Sequence, residues 1–380
     1  MQKFVLDNGL PVFLVEKHNL PIVQINLIFN AGGIYDPAGR AGLAAMTAEL
    51  MDEGAGERDA LELAEQIDFL GISLSTYANR EQLGLRLFAP TARLDEAMPL
   101  FADILLRPRF DSEELERKRT EYLVAIAQAH DEPGAIARAA FDQLIFGEDH
   151  PFGRMLYGNE ASLKAMTLQD LKAFHTDYIN PANGFLVIVG DITQAEAESQ
   201  LKRTLGSWTG GSRKMLSVPD PPTVEGFQVY LIDKPEAAQS VLRFGHPGVS
   251  RTTEDEYPIT LMNTILGGSF TSPLNQNIRE EHGYAYGAGS GFFQPRSRGY
   301  FMASASVQTD VTAAAISEFM KELTLIQEVS EEEAEKARNY QALSFPGEFE
   351  QIGSIAGNLS DVIFYNLPLD YLNKHVNNLL

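Results

Sequence analysis

One pattern in this chain occurs twice, and it limits the fold more than any other feature. Residues 12–33, VFLVEKHNLPIVQINLIFNAGG, and residues 229–248, VYLIDKPEAAQSVLRFGHPG, each carry an apolar run, a polar break and an alternating run that ends at glycine. A chain of 380 residues is long enough for two cores, and a repeated pattern implies that one unit is built twice.

The first copy reads as alternating strands and helices. Phe4 to Leu6 and Val12 to Val15 flank Asp7-Asn8-Gly9 as a hairpin, and Ile22 to Phe29 alternates as a third strand. A helix starts near Arg40 with Leu43, Met46 and Leu50 at helical spacing, and Ala45, Ala48 and Glu49 share another of its faces. A second helix covers about Arg58 to Leu70, strands fill Ile72 to Ala89, and Leu94 to Leu105 is helical with a kink expected at Pro99. Ser112 caps a long helix to about Ala129, and another covers roughly Gly134 to Phe146. Thr167-Leu168-Gln169-Asp170 is a capping-box start, Asn183 to Asp191 is a buried strand, and Gln194 to Leu205 is the closing helix.

Trp208 to Gly226 is rich in Gly, Ser and Pro and reads as a linker. Beyond it, Tyr257 to Leu266 mirrors the helix at 40–51, Tyr284 to Gln308 supplies strands, and Val311 to Ile326 and Ser330 to Leu343 are helical. Phe349 to Tyr365 corresponds to 136–147, and no counterpart of Thr167 to Asp191 follows. The expected fold is α+β, two tandem homologous domains of mixed, mostly antiparallel sheet packed by helices. The domains fall at 1–207 and 227–380 around a linker at 208–226. The second is expected to be truncated at its C-terminus, lacking its last helix and strand, with an exposed sheet position that matters for stability.

Composition excludes several chemistries. There is no Cys, so disulfides, thiolate nucleophiles and Cys-ligated zinc are absent. A formal charge of −22 argues against nucleic acid and suits basic or unfolded peptides or a basic partner protein. No apolar run reaches membrane-spanning length, and Met1-Gln2-Lys3 leads into a strand without a signal peptide. A periplasmic location is expected only if such a signal was removed. The seven histidines are nowhere spaced as ligands on one helix face. His150, before Pro151, reads as a loop hydrogen-bonding residue, and no nucleophile elbow or P-loop is present.

The stretch Leu266 to Gly287, LGGSFTSPLNQNIREEHGYAYG, makes unusual demands. Gly267 and Gly268 let backbone pass where a Cβ could not. Ser269, Thr271 or Ser272 is positioned to cap a helix that carries Leu274 and Ile278 and stops at Gly283. Arg279 and Tyr286 lie seven residues apart across that stop. A guanidinium and a phenol so placed can converge on one carbonyl oxygen, although a surface Arg and a packed Tyr are the commoner outcome for such a pair.

Over nearly all its length the chain resembles the insulinase-like or pitrilysin-type zinc peptidases, the inverted zincins. In that family a Gly-Leu-Ala-His-x-x-Glu-His helix follows the third strand and a Glu on a later helix completes the zinc site. Here the matching segment is Gly42-Leu43-Ala44-Ala45-Met46-Thr47-Ala48-Glu49. By that resemblance Ala45 and Glu49 stand at the two His positions, Ala48 at the base and Ala125 at the third ligand. The degenerate site implies no cofactor in this chain. The family's second half carries Arg and Tyr in a segment like Arg279-Glu280…Gly283…Tyr286, with Pro273 and Tyr284 as local departures. The resemblance implies that Arg279 and Tyr286 are catalytic residues, holding the substrate carbonyl opposite a metal.

Heteromeric members of the family split these roles. One subunit supplies zinc, the other the Arg/Tyr pair, and the two close around a peptide chamber. The resemblance therefore implies a non-catalytic subunit of a heterodimeric zinc endopeptidase, with Arg279 and Tyr286 acting in trans on a homologous zinc-binding subunit and zinc held by that partner. Unfolded peptides, bound by strand addition, are the expected substrates. The alternative is a zinc-free peptide-binding or scaffold protein of the same fold.

Overall fold

The computed structural model describes residues 1–380. The first half contains β1 (Gln2–Val5), β2 (Pro11–Glu16), β3 (Ile22–Phe29), α1 (Leu43–Met51), α2 (Ala60–Leu70), β4 (Ser73–Ala78), β5 (Leu83–Pro90), α3 (Leu94–Leu106) and α4 (Ser112–Ala129). It continues with α5 (Pro133–Phe146), α6 (Glu160–Ala165), α7 (Leu168–Tyr178), β6 (Gly184–Gly190) and α8 (Gln194–Leu205). The second half contains β7 (Gln239–Pro247), α9 (Glu256–Asn263), the short α10 (Pro273–Asn275), β8 (Ala285–Phe293) and β9 (Tyr300–Gln308). It ends with α11 (Thr312–Leu325), α12 (Glu331–Ser344), α13 (Ile352–Phe364) and α14 (Tyr371–Leu379). Full capping boxes start α2, α7, α8 and α12, each pairing Asp, Thr or Ser with an acid three residues on. The chain continues as one helix through Pro99 in α3. No helix is long and apolar enough to cross a membrane.

Packing divides the chain differently from its sequence. One compact unit comprises Met1–Ile126, Met155–Ser217 and Glu348–Phe364, and the other comprises Ala127–Arg154, Val218–Gly347 and Tyr365–Leu380. No helix or strand forms between α8 and β7, and each unit also takes one helical segment from the other half of the chain. The cause is visible in β3, where every residue from Val23 to Phe29 is buried. A strand buried on both faces needs a cover on each side. In unit 1 the apolar face of α13, with Ile352, Ile355, Ala356, Leu359 and Val362 buried, packs on β3 and β6. In unit 2, α5 packs on β7, and Gly245 makes room for it, because a Cβ there would lie 2.4 Å from Phe141 Cζ. Phe146 extends this apolar layer towards Phe152 and Tyr300.

The two sheets share a motif and differ in extent. Unit 1 holds a six-stranded sheet ordered β1-β2-β6-β3-β5-β4, antiparallel except for the parallel β2–β6 pair. Unit 2 holds a three-stranded sheet ordered β7-β9-β8. Its strands match β3-β5-β4, so the edge of β7 that corresponds to the β6 side of β3 has no strand beside it. The apolar run at 229–232, the counterpart of β2, forms no strand. The counterpart strand in unit 1, β2, is held in the sheet through β6, and no strand takes that place in unit 2. Val229, Tyr230, Leu231 and Ile232 are accordingly exposed.

Candidate functional site

Two corners of the molecule carry the residues singled out by the sequence. The first is α1 in unit 1. Asp36 receives the helix start, accepting hydrogen bonds from the Gly42 and Ala44 amides at 2.8 Å each. Gly42 takes φ +91°, and a Cβ there would sit 2.8 Å from the Gly158 nitrogen, so only glycine fits the entry. Ala45 and Ala48 then point inward and are 2% and 1% exposed. Thr76 donates its hydroxyl to the Ala48 carbonyl at 2.6 Å, fixing the helix on β4.

Glu49 turns outward and is already engaged. Lys118 on α4 places its ammonium 3.0 Å from Glu49 and 2.8 Å from Glu53, and Arg117 lies 2.7 Å from Glu53. Burial opposes the charge on Lys118, but the two carboxylates outweigh it and hold its pKa above the usual lysine range. Burial likewise works against the Glu53 carboxylate, and Lys118 and Arg117 reverse that and hold its pKa low. Asp52 lacks such a cation. Burial first, and the charges of Glu49 and Glu53 in addition, push its pKa up to about 6 against the hydrogen bond it accepts from the Thr76 amide.

These residues do not fit a zinc ion. Two methyl groups occupy the positions that the family resemblance assigns to a ligand and the base, the Glu49 carboxylate is bound by an ammonium, and no three His, Cys, Asp or Glu side chains are arranged to hold a metal. Ala125 is exposed on α4, seven residues beyond Lys118 and thus about two helical turns away. Lys118 was not legible from sequence. Its contact with Glu49 spans 69 residues, and no local spacing encodes it.

The second corner is the Leu266–Gly287 stretch in unit 2. The expected helix is wound unusually. After α9 the chain makes a π turn over Thr264–Gly268, a short turn of α10, and a second π turn over Gln276–Glu281. His282 donates to the Asn277 carbonyl five residues back at 3.1 Å. Each π turn takes in an extra residue, a local cost that is often found at functional positions. Ser272 stands at the N-cap of α10 but forms no side-chain capping bond. Gly267 and Gly268 are required sterically, since Cβ atoms there would lie 2.5 Å from Ser290 Oγ and 2.8 Å from Asn263 Nδ2.

Leu266, Leu274 and Ile278 anchor this stretch in a core with Phe301, Val307 and Phe319. Asn277 ties the second π turn to α11 by donating to Glu318 at 2.9 Å and to Glu322 at 2.7 Å. Gly283, at φ +63°, ends the turn and donates to the Arg279 carbonyl. The structure brings Arg279 and Tyr286 together, with the guanidinium carbon 5.3 Å from the phenol ring centroid. The same guanidinium lies 4.6 Å from the Phe270 ring and its Nε is 3.3 Å from Glu280. Tyr286 is 92% exposed. A cation and a phenol are therefore presented side by side at the surface on a buried base, able to donate hydrogen bonds to an oxygen that arrives from outside. His150 behaves as a loop residue, accepting from the Phe152 amide through Nδ1 while its Nε2 lies 2.9 Å from the Pro219 carbonyl.

Comparison with known proteins bears on both corners. Residues 12–151 match the family model for insulinase, peptidase family M16, and residues 165–340 match that for the peptidase M16 inactive domain. A Rickettsia bellii protein described as an uncharacterized zinc protease is 27% identical over 335 residues, covering 88% of this chain and 80% of the relative. A Helicobacter pylori protein described as the non-peptidase homolog YmxG is 26% identical over 366 residues, covering 95% and 83%. Among solved structures, the peptidase M16 inactive domain from Pseudomonas fluorescens superposes with a TM-score of 0.91 at 25% identity, covering 99% of this chain and 90% of that one.

Proposed function

The chain belongs to the insulinase family, peptidase family M16, and its own metal corner is filled by methyl groups and a lysine, so we propose that it acts as the non-catalytic subunit of a heterodimeric zinc endopeptidase. In this reading the homologous partner subunit holds the zinc, and this chain lends Arg279 and Tyr286 to the partner's site. The single observation that carries the proposal is the half-buried Arg279 guanidinium beside the exposed Tyr286 phenol on a π-turn base. An exposed phenol beside a half-buried guanidinium on so constrained a backbone suits a ligand that comes from outside the chain.

The chemistry follows from the two groups. When a peptide carbonyl is attacked, negative charge gathers on its oxygen, and a fixed guanidinium and a phenol hydroxyl stabilise that oxygen more than the ground-state carbonyl. Neither group needs to change protonation state. The partner's zinc would supply the activated water. The net charge of −22 favours unfolded, basic peptides in the chamber.

Affinity purification of the protein from its native cells, with mass spectrometry and zinc analysis on the same eluate, tests this reading. A stoichiometric partner that carries His-x-x-Glu-His, with one zinc per pair, is the expected result. Recovery of the chain alone, or with a zinc-free partner, overturns it in favour of a peptide-binding or scaffold role. The H. pylori relative's description as a non-peptidase homolog is compatible with both roles.

A further inference from the structure

Arg279 does not hold its position alone. Two residues outside the Arg/Tyr pair shape its surroundings, Phe270 in the turn before α10 and Asn275 at the end of α10. Phe270 places its ring 4.6 Å from the guanidinium carbon, and Tyr286 places its ring 5.3 Å away, so the cation has an aromatic neighbour from each end of the stretch. Phe270 is 66% exposed. An aromatic ring left that far in water is not serving the core, and its contact with the guanidinium is the one specific interaction it makes.

Asn275 explains how the two rings are kept in place. It is 5% exposed, and its side chain bridges two separate pieces of backbone. Nδ2 donates to the Phe270 carbonyl at 2.7 Å, and Oδ1 accepts from the Ala288 amide at 3.1 Å. Ala288 lies at the end of a register shift in the β8–β9 ladder that begins at Ala285, so Tyr286 and Gly287 fall in the irregular part. An irregular strand start re-aims its side chains. One buried amide thus couples the turn that carries Phe270 to the bulge that carries Tyr286, with Arg279 between them.

We propose that Phe270 and Asn275 are positioning residues for Arg279 and Tyr286: Asn275 fixes the two segments, and the Phe270 ring holds the guanidinium beside the phenol. The role in catalysis rests on the function proposed above, whereas the positioning itself belongs to this chain alone. Without Phe270 only the Glu280 carboxylate, 3.3 Å from Nε, and the phenol ring remain beside the guanidinium, and it is free to turn away from the phenol. Without Asn275 the bulge and the turn lose their common tie.

The test has two arms. In the isolated full chain, the Arg279 Nε–Hε resonance is assigned by its disappearance in Arg279→Lys. Ring-current shielding by the flanking aromatics is expected to displace it upfield of solvent-exposed arginines. Phe270→Leu and Asn275→Ala should each move it at least halfway back, Phe270→Tyr should keep it, and backbone amides outside residues 266–290 should be unchanged. Phe270 is exposed enough for its variants to fold, so the proposal stands or falls on them even if Asn275→Ala unfolds. An unshielded Arg279 resonance in the parent, or one that Phe270→Leu leaves in place, overturns the proposal.

In the second arm, each variant is assembled with the zinc-bearing subunit. A lost positioning contact lowers kcat about tenfold and leaves KM within about twofold. Phe270→Tyr keeps the parent rate. If the resonance moves and kcat does not, the positioning is real but the function assigned to the pair fails.

Discussion

The corner at α1 follows β3, the corner at Leu266–Gly287 follows β7 and α9, and the two are built in opposite ways. At α1 the helix is regular, its inward residues are buried alanines, and its one outward carboxylate is neutralised by Lys118. At Leu266–Gly287 the backbone is irregular, with two π turns and a bulge, and it carries the exposed Tyr286 beside a half-buried Arg279. Alanine in a helix interior costs nothing in propensity, so the first corner packs as ordinary structure. The second accepts local backbone cost to present Arg279 beside Tyr286. The difference is that buried alanines make α1 ordinary packed structure, while the irregular backbone at Leu266–Gly287 is of the kind that clusters at functional sites.

That contrast can be broken in three ways. The largest effect is expected for Ala48→Glu, which places a carboxylate where the family resemblance puts the base. Ala48 is 1% exposed, so the new side chain must be crowded and desolvated, and the protein should lose about 3–4 kcal/mol of unfolding free energy in denaturant titrations. A neutral result would mean that the corner kept room for its base and is not closed.

Asp52 gives a slightly smaller, pH-dependent effect. Its folded pKa is pushed up to about 6 by burial, whereas an unfolded Asp titrates near about 4. Between those values the folded chain holds a proton that the unfolded chain gives up. Stability from this group is therefore present below about pH 4 and is lost as pH rises through about 6. Asp52→Asn should be more stable than the parent by about 3 kcal/mol at pH 8, with no advantage at pH 4. Equal differences at the two pH values would contradict the burial of this charge.

Lys118→Met tests the ammonium that took over the corner. The pair is partly exposed, so the loss should be about 1 kcal/mol at low salt and smaller at high salt. No loss at low salt would show that Lys118 does not tie α4 to α1.

Much of this was legible in the sequence because it is local. Ile22 to Phe29 alternates and is β3; Ser112 starts α4; Thr167 with Asp170 starts α7. Arg279 and Tyr286 were found through a motif whose residues lie within eight positions, and the chain brings them together. What escaped was long-range. The apolar face of α13 was readable, but nothing in its spacing says that it covers β3. The run at 229–232 has strand character, yet strands form only beside a partner, and β7 has none on that side. Lys118 and Asn275 act through contacts that only the folded chain creates.

The most direct test of the account is the steady-state kinetics of the assembled complex carrying Arg279→Ala, with zinc content and assembly measured on the same sample. The account predicts a kcat about 100-fold lower, with one zinc per pair retained and the complex intact. An unchanged kcat in an intact, zinc-loaded complex would contradict it, leaving the exposed pair without a part in catalysis.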